Sequence, residues 1–99
     1  MKRRFILSVS GLSDREVNEL REYLKTVGWW NWIPNFWLLI TSSDVMSCEK
    51  LRNKVVEINS DAKCLAMEIP ADLDWAYHGA ANDKGKTMGE WLKTTWAEE

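Results

Sequence analysis

GWWNWIPNFWLLIT, residues 28–41, holds four of the seven tryptophans of a 99-residue chain. It reads as a β-hairpin. Trp29–Ile33 forms one strand, Pro34-Asn35 the turn and Phe36–Thr41 the next strand. Proline presets the backbone angle at the first turn position, and asparagine tolerates the second. Trp, Phe and Ile favour a pleated, half-buried surface. The second strand is apolar on both faces, with Phe36, Leu38 and Ile40 on one and Trp37 and Leu39 on the other. A strand that dry belongs inside a sheet covered on both sides. In the first strand, alternation sends Trp29 opposite to Trp30. At least one indole of Trp29, Trp30 and Trp32 is therefore expected at an interface or a pocket.

Outward from the hairpin, both flanks alternate helix and strand signals. Phe5–Ser10 is a strand, with Phe5, Leu7 and Val9 facing one way and Ile6, Ser8 and Ser10 the other. Ser13 and Glu16 form a capping box, in which the hydroxyl and the carboxylate each satisfy a free N–H at a helix start. Val17, Leu20, Leu24 and Val27 follow as one apolar stripe, and Gly28 suits the helix stop. After the polar break at 41–44, Ser47 caps a second helix whose stripe is Cys48, Leu51, Val55 and Ile58. Asn59-Ser60-Asp61 turns the chain into a strand at Lys63–Ile69, and Pro70 ends it.

The order is strand, helix, strand, strand, helix, strand, the α+β ferredoxin-like βαββαβ sandwich. Right-handed crossovers put both helices on one face of an antiparallel sheet, with the first and third strands central. The expected organisation is a single domain over residues 1–99. It has a core at 4–70, a loop at 71–86 and an added C-terminal helix at 87–98, opened by a second capping box, Thr87 and Glu90. The helix-free face would be a large apolar patch in a lone chain, so a homodimer or higher oligomer is expected.

Composition narrows the function classes. The apolar fraction of 45% and charged fraction of 28% are those of a globular domain. A net charge of −2 disfavours sequence-independent binding to nucleic acid, which needs a basic face. The one dense basic cluster, Lys2-Arg3-Arg4, reads as a solvated terminus. Cys48 and Cys64 lack a metal spacing and read as reduced thiols, although sequence leaves a disulfide open. The run Phe5-Ile6-Leu7 is too short for a signal peptide, and no run reaches membrane-spanning length. A cytoplasmic protein with no metal, no cofactor and no membrane partner is the expectation.

Several pieces resemble small SinR-type proteins, which are similar in fold to the small CRISPR adaptation nuclease. They are Gly28-Trp29-Trp30, Trp37-Leu38-Leu39-Ile40, Ser47 to Leu51, Trp75-Ala76-Tyr77-His78-Gly79 and Glu90-Trp91-Leu92-Lys93. The resemblance implies a dimeric ferredoxin-like fold. The nuclease relatives carry a metal-binding Asp at the end of the first strand, where this chain has Ser10. That departure counts against hydrolysis.

Aromatic planes beside cations and amide side chains can hold a nucleotide: planes stack the base, amides read its edge and cations meet phosphate. The candidate ligand-binding set is Arg4, Ser10, Trp30, Asn31, Trp32, Trp75, Tyr77, His78 and Lys86. His78, the sole histidine, has the pKa range of a general base but no orienting partner visible in sequence. Asp72 and Asp74 lack the further oxygen donors that a metal site needs. The leading expectation is a non-enzymatic, homo-oligomeric binder of a nucleotide-type ligand, such as a phage protein that sequesters a host immune nucleotide. The rivals are a metal-dependent nuclease or phosphodiesterase acting through His78, Asp72 or Asp74, and a protein-interaction module such as an inhibitor or antitoxin.

Overall fold

A computed structural model describes residues 2–33, 35–70, 72, 74–76 and 78. Six elements run in order: β1 (Arg3–Ser10), α1 (Asp14–Leu24), β2 (Gly28–Ile33), β3 (Phe36–Thr41), α2 (Cys48–Ile58) and β4 (Lys63–Ile69). The four strands form one antiparallel sheet in the order β2-β3-β1-β4. This is an α+β domain, compatible with a ferredoxin-like fold. The expected loop at 71–86 lies largely, and the expected helix at 87–98 wholly, outside the described residues.

Alternation within the strands builds the core. Phe5 pairs with Leu39 and Leu7 with Trp37, so these four share the face on which both helices pack. Leu20 and Leu24 of α1 and Leu51 and Val55 of α2 close that face at 0% exposure. Trp37 is 1% exposed, and its indole N–H has no hydrogen-bond acceptor among the described residues. A buried donor without a partner costs about 1–3 kcal/mol. Removing roughly 200 Å² of aromatic surface from water returns about 5 kcal/mol, so burial wins. Leu38 and Ile40, on the opposite face of β3, are also buried. The strand is covered on both sides, as its composition requires.

Both helices start where their caps predict. Ser13 Oγ accepts the Glu16 N–H at 3.3 Å while Glu16 Oε1 accepts the Ser13 N–H at 2.9 Å. The backbone N–H of Ser13 and then the Asn59 amide hold the Glu16 carboxyl below its ordinary pKa. Ser47 Oγ caps α2 by accepting the Lys50 N–H at 3.1 Å. Gly11 has a φ of +95°, which favours glycine, and makes the sharp exit from β1. Asn35 has a φ of +64° at the hairpin tip, the conformation expected of it.

Three expectations need correction. Gly28 does not stop α1, which ends at Leu24 with Lys25 as its cap still in helical conformation. Gly28 opens β2 opposite Ile40, and a Cβ there would lie 2.7 Å from Ile40 Cγ2. The glycine serves close strand approach. The basic terminus is not solvated as a cluster either. Arg3 donates to both Glu68 oxygens at 2.8 and 2.9 Å and to the carbonyls of Ser43 and Met46, and it lies 5.1 Å over the Phe5 ring. Arg4, on the opposite face, is 3% exposed. Finally, the helix-free face is not wholly open in one chain. Its centre at Leu38 and Ile40 is closed, and exposure concentrates at β4, where Leu65 is 59% and Met67 47% exposed.

Candidate functional site

The sequence-derived candidates do not converge on one point. Arg4 and Ser10 share a face of β1 but are six residues apart, a span of roughly 20 Å at strand rise. Arg4 pairs with Ile40 and Ile69 at one end of the sheet, and its Nη1 donates to the Lys2 carbonyl at 3.3 Å. Ser10 is exposed opposite Lys63 at the other end. One small ligand cannot touch both. Trp30, Asn31 and Trp32 lie in β2, whose ladder to β3 shifts register between Trp30 and Ile33. Trp29 packs against the core. Trp75 is half-buried, while His78, Asp72 and Asp74 are exposed. Tyr77 and Lys86 lie outside the described residues.

The structure gathers a different set at the Arg4 end. The α1–β2 and β3–α2 connections lie side by side there and enclose two adjoining clefts. The first, about 240 Å³, is lined by Lys2, Thr26, Gly28, Ile40, Thr41 and Ser42 among others. The second, about 260 Å³, shares Thr26, Val27 and Thr41 and adds Tyr23, Ser43 and Lys50. Each is just under the size usual for small-molecule pockets, and the pair, with Thr26, Val27 and Thr41 as the common wall, is termed the trough.

Local hydrogen bonds hold this trough in shape. Thr41 Oγ1 accepts the Ser43 N–H at 3.0 Å, and Ser43 Oγ accepts the Val45 N–H at 3.2 Å. Two successive side-chain turns of this kind set the loop backbone and leave both hydroxyl protons free to donate outward. Thr26 Oγ1 donates to the Tyr23 carbonyl at 3.4 Å. Behind the loop, the Arg3 guanidinium clasps the carbonyls of Ser43 and Met46. Arg3 also holds the Glu68 carboxyl below its ordinary pKa by donating to it, and the guanidinium's own pKa is raised in return. The first cleft thus carries hydroxyl groups and the Lys2 ammonium, and the second carries hydroxyl groups, the Lys50 ammonium and the Tyr23 ring. These groups can take a phosphate and an attached apolar or aromatic body.

Sequence reasoning passed over Thr26, Thr41, Ser42, Ser43 and Lys50. Their signal was present as the polar break at 41–44 and the short Lys25-Thr26-Val27 link. Only the strand order shows that the two connections meet. Among the described residues, no cluster of three or more His, Cys, Asp or Glu side chains is placed to hold a metal ion. No described helix is long and apolar enough to cross a membrane. Cys48 and Cys64 are free thiols. No protein-family model, curated protein sequence or solved structure matches the chain.

Proposed function

We propose that this chain is a non-enzymatic, homo-oligomeric protein that binds a nucleotide-type ligand. The observation that carries this reading is the trough lined by Lys2, Thr26, Thr41, Ser42, Ser43 and Lys50. Its hydroxyls and ammoniums suit phosphate oxygens. Tyr23, half-buried at the second cleft, offers a ring face to a base or ribose. The ferredoxin-like arrangement with a further helix at 87–98, the likeness to SinR-type proteins and a cytoplasmic setting belong to the same proposal. So does a role in which a phage protein withdraws a host nucleotide signal.

Thermal unfolding against nucleotides, cyclic dinucleotides and ADP-ribose derivatives tests the reading. A ligand at about 100 times its Kd adds roughly 2.7 kcal/mol, which moves a domain of this size by several degrees. The expected result is a clear rise with one compound, recovered unchanged afterwards. Thr41→Val and Lys50→Ala should each reduce that rise. A flat screen overturns the reading in favour of a protein-interaction module, and conversion of the compound overturns its non-enzymatic part.

A further inference from the structure

The sheet has two edges, and they differ. The β2 edge carries a register irregularity between Trp30 and Ile33, a feature that discourages pairing with another strand. Among the described residues β4 pairs on one side only, with β1, through a continuous ladder from Ser10↔Lys63 to Arg4↔Ile69. It has seven residues and no proline or glycine. Of the five large exposed apolar side chains among the described residues, Val45 lies in the β3–α2 connection and Ile33 at the β2 edge, while the other three lie around β4 on both faces. Leu65 and Met67 lie on the helix-free side, and Val56, 46% exposed, lies on α2. Beside Val56 on the same flank of α2, a cleft of about 280 Å³ lies between Cys48, Glu49 and Arg52 and the strand residues Cys64, Leu65 and Ala66. A regular unpaired edge with apolar groups above and below is a template for a strand that brings its own flanking surface.

We infer that the occupant is β4 of a second copy, paired antiparallel about a two-fold axis at Ala66 to make one eight-stranded sheet. The inference deepens the homo-oligomeric part of the proposed function and rests on it for the number of copies, not for the ligand. Self-complementarity selects this partner. A two-fold perpendicular to the sheet sets like faces together, and only the Ala66 centre pairs all seven residues. It places Leu65 against Met67 of the second copy twice over, apolar on apolar, and leaves the small Ala66 at the point of closest approach. The strand's one cation, Lys63, and one anion, Glu68, sit at opposite ends, so antiparallel pairing avoids like charges facing each other.

Sedimentation of the native chain and of Leu65→Lys/Met67→Lys tests this. Both positions are exposed, so the fold should persist, and circular dichroism checks that it does. The expected masses are twice 11.5 kDa for the native chain and 11.5 kDa for the variant. In a Cys48→Ser/Cys64→Ser background, Ala66→Cys should form an intersubunit disulfide, because directly opposed strand residues have Cα atoms about 4.5–5.5 Å apart. Lys63→Cys should not. A monomeric native chain overturns the inference together with the homo-oligomeric reading. A dimer that ignores the lysines, or that crosslinks at Lys63→Cys and not at Ala66→Cys, overturns the β4 pairing alone. The ligand screen is read separately from both.

Discussion

On the helix side of the sheet, Phe5, Leu7, Trp37 and Leu39 are no more than 1% exposed, sealed by Leu20, Leu24, Leu51 and Val55. On the other side, the same strands set Ile6 beside Leu38 and Met67, and closure fails progressively toward β4: Leu38 is 9% exposed, Met67 47% and Leu65 59%. Both faces carry large apolar side chains, although β1 sets Ser8 and Ser10 on the second. The difference is that two amphipathic helices cover one of them. Strand alternation specifies where a side chain points, whereas the neighbouring layer decides what that direction is worth.

Truncating one leucine on each side tests this difference most directly. Leu51→Ala removes a side chain at 0% exposure and leaves a cavity, so it should cost about 2–5 kcal/mol. Leu65→Ala removes one that is mostly in water and should cost within about 0.5 kcal/mol in the single chain. Thermal or urea unfolding at low protein concentration measures both. If Leu65→Ala costs more as concentration rises, the excess belongs to association, since subunit binding stabilises by mass action. Equal losses at every concentration would mean that the two faces are closed alike.

Gly28 reports on packing at the helix-free side, opposite Ile40. An added Cβ would sit 2.7 Å from Ile40 Cγ2, closer than real contacts allow. Gly28→Ala should therefore cost about 1–3 kcal/mol, the usual range for overpacking. Ile40→Ala removes the clashing methyl. The double variant should then show a coupling of about 0.5–3 kcal/mol relative to the sum of the singles. Strict additivity in unfolding titrations would mean that β2 moves aside without resistance and that the packing at this end of the face is loose.

How much of this was legible in the sequence follows the same division. Local chemistry was readable: the Ser13–Glu16 capping box, the Ser47 cap, the positive φ at Asn35 and the bounds of β4 all appear where residue type requires them. Non-local chemistry was not. Gly28 looked like a helix stop because glycine suits both a helix end and a tight strand approach, and only the pairing with Ile40 separates the two. Lys2-Arg3-Arg4 looked like a solvated run because the partners of Arg3 lie 40 to 65 residues away. The candidate ligand residues were chosen by type, and the sheet then set Arg4 and Ser10 at opposite ends. The trough was missed because its hydroxyls come from two connections that mean little apart.

The smallest expected effect lies at the rim, where the helix side of the sheet ends in charge. Arg3 and Glu68 meet at 2.8 Å with side chains 26% and 45% exposed, so water screens the pair. Arg3 donates to Glu68 and thereby lowers the carboxyl's pKa below its ordinary 4.5. A carboxyl whose folded pKa is depressed binds its proton less readily when folded than when unfolded. Its contribution is complete above the unfolded value, near 4.5, and is lost as pH falls through the folded one. Glu68→Gln should therefore lower Tm slightly at pH 7, and the gap to the native chain should close as pH falls below the ordinary carboxyl range. Arg3 would still donate to the amide oxygen and to the carbonyls of Ser43 and Met46, which limits the loss at neutral pH. A gap that persists to pH 3 would mean that Glu68 acts by packing. In that case the rim holds the β3–α2 loop by shape, and the trough that this loop lines would not respond to acid through Glu68.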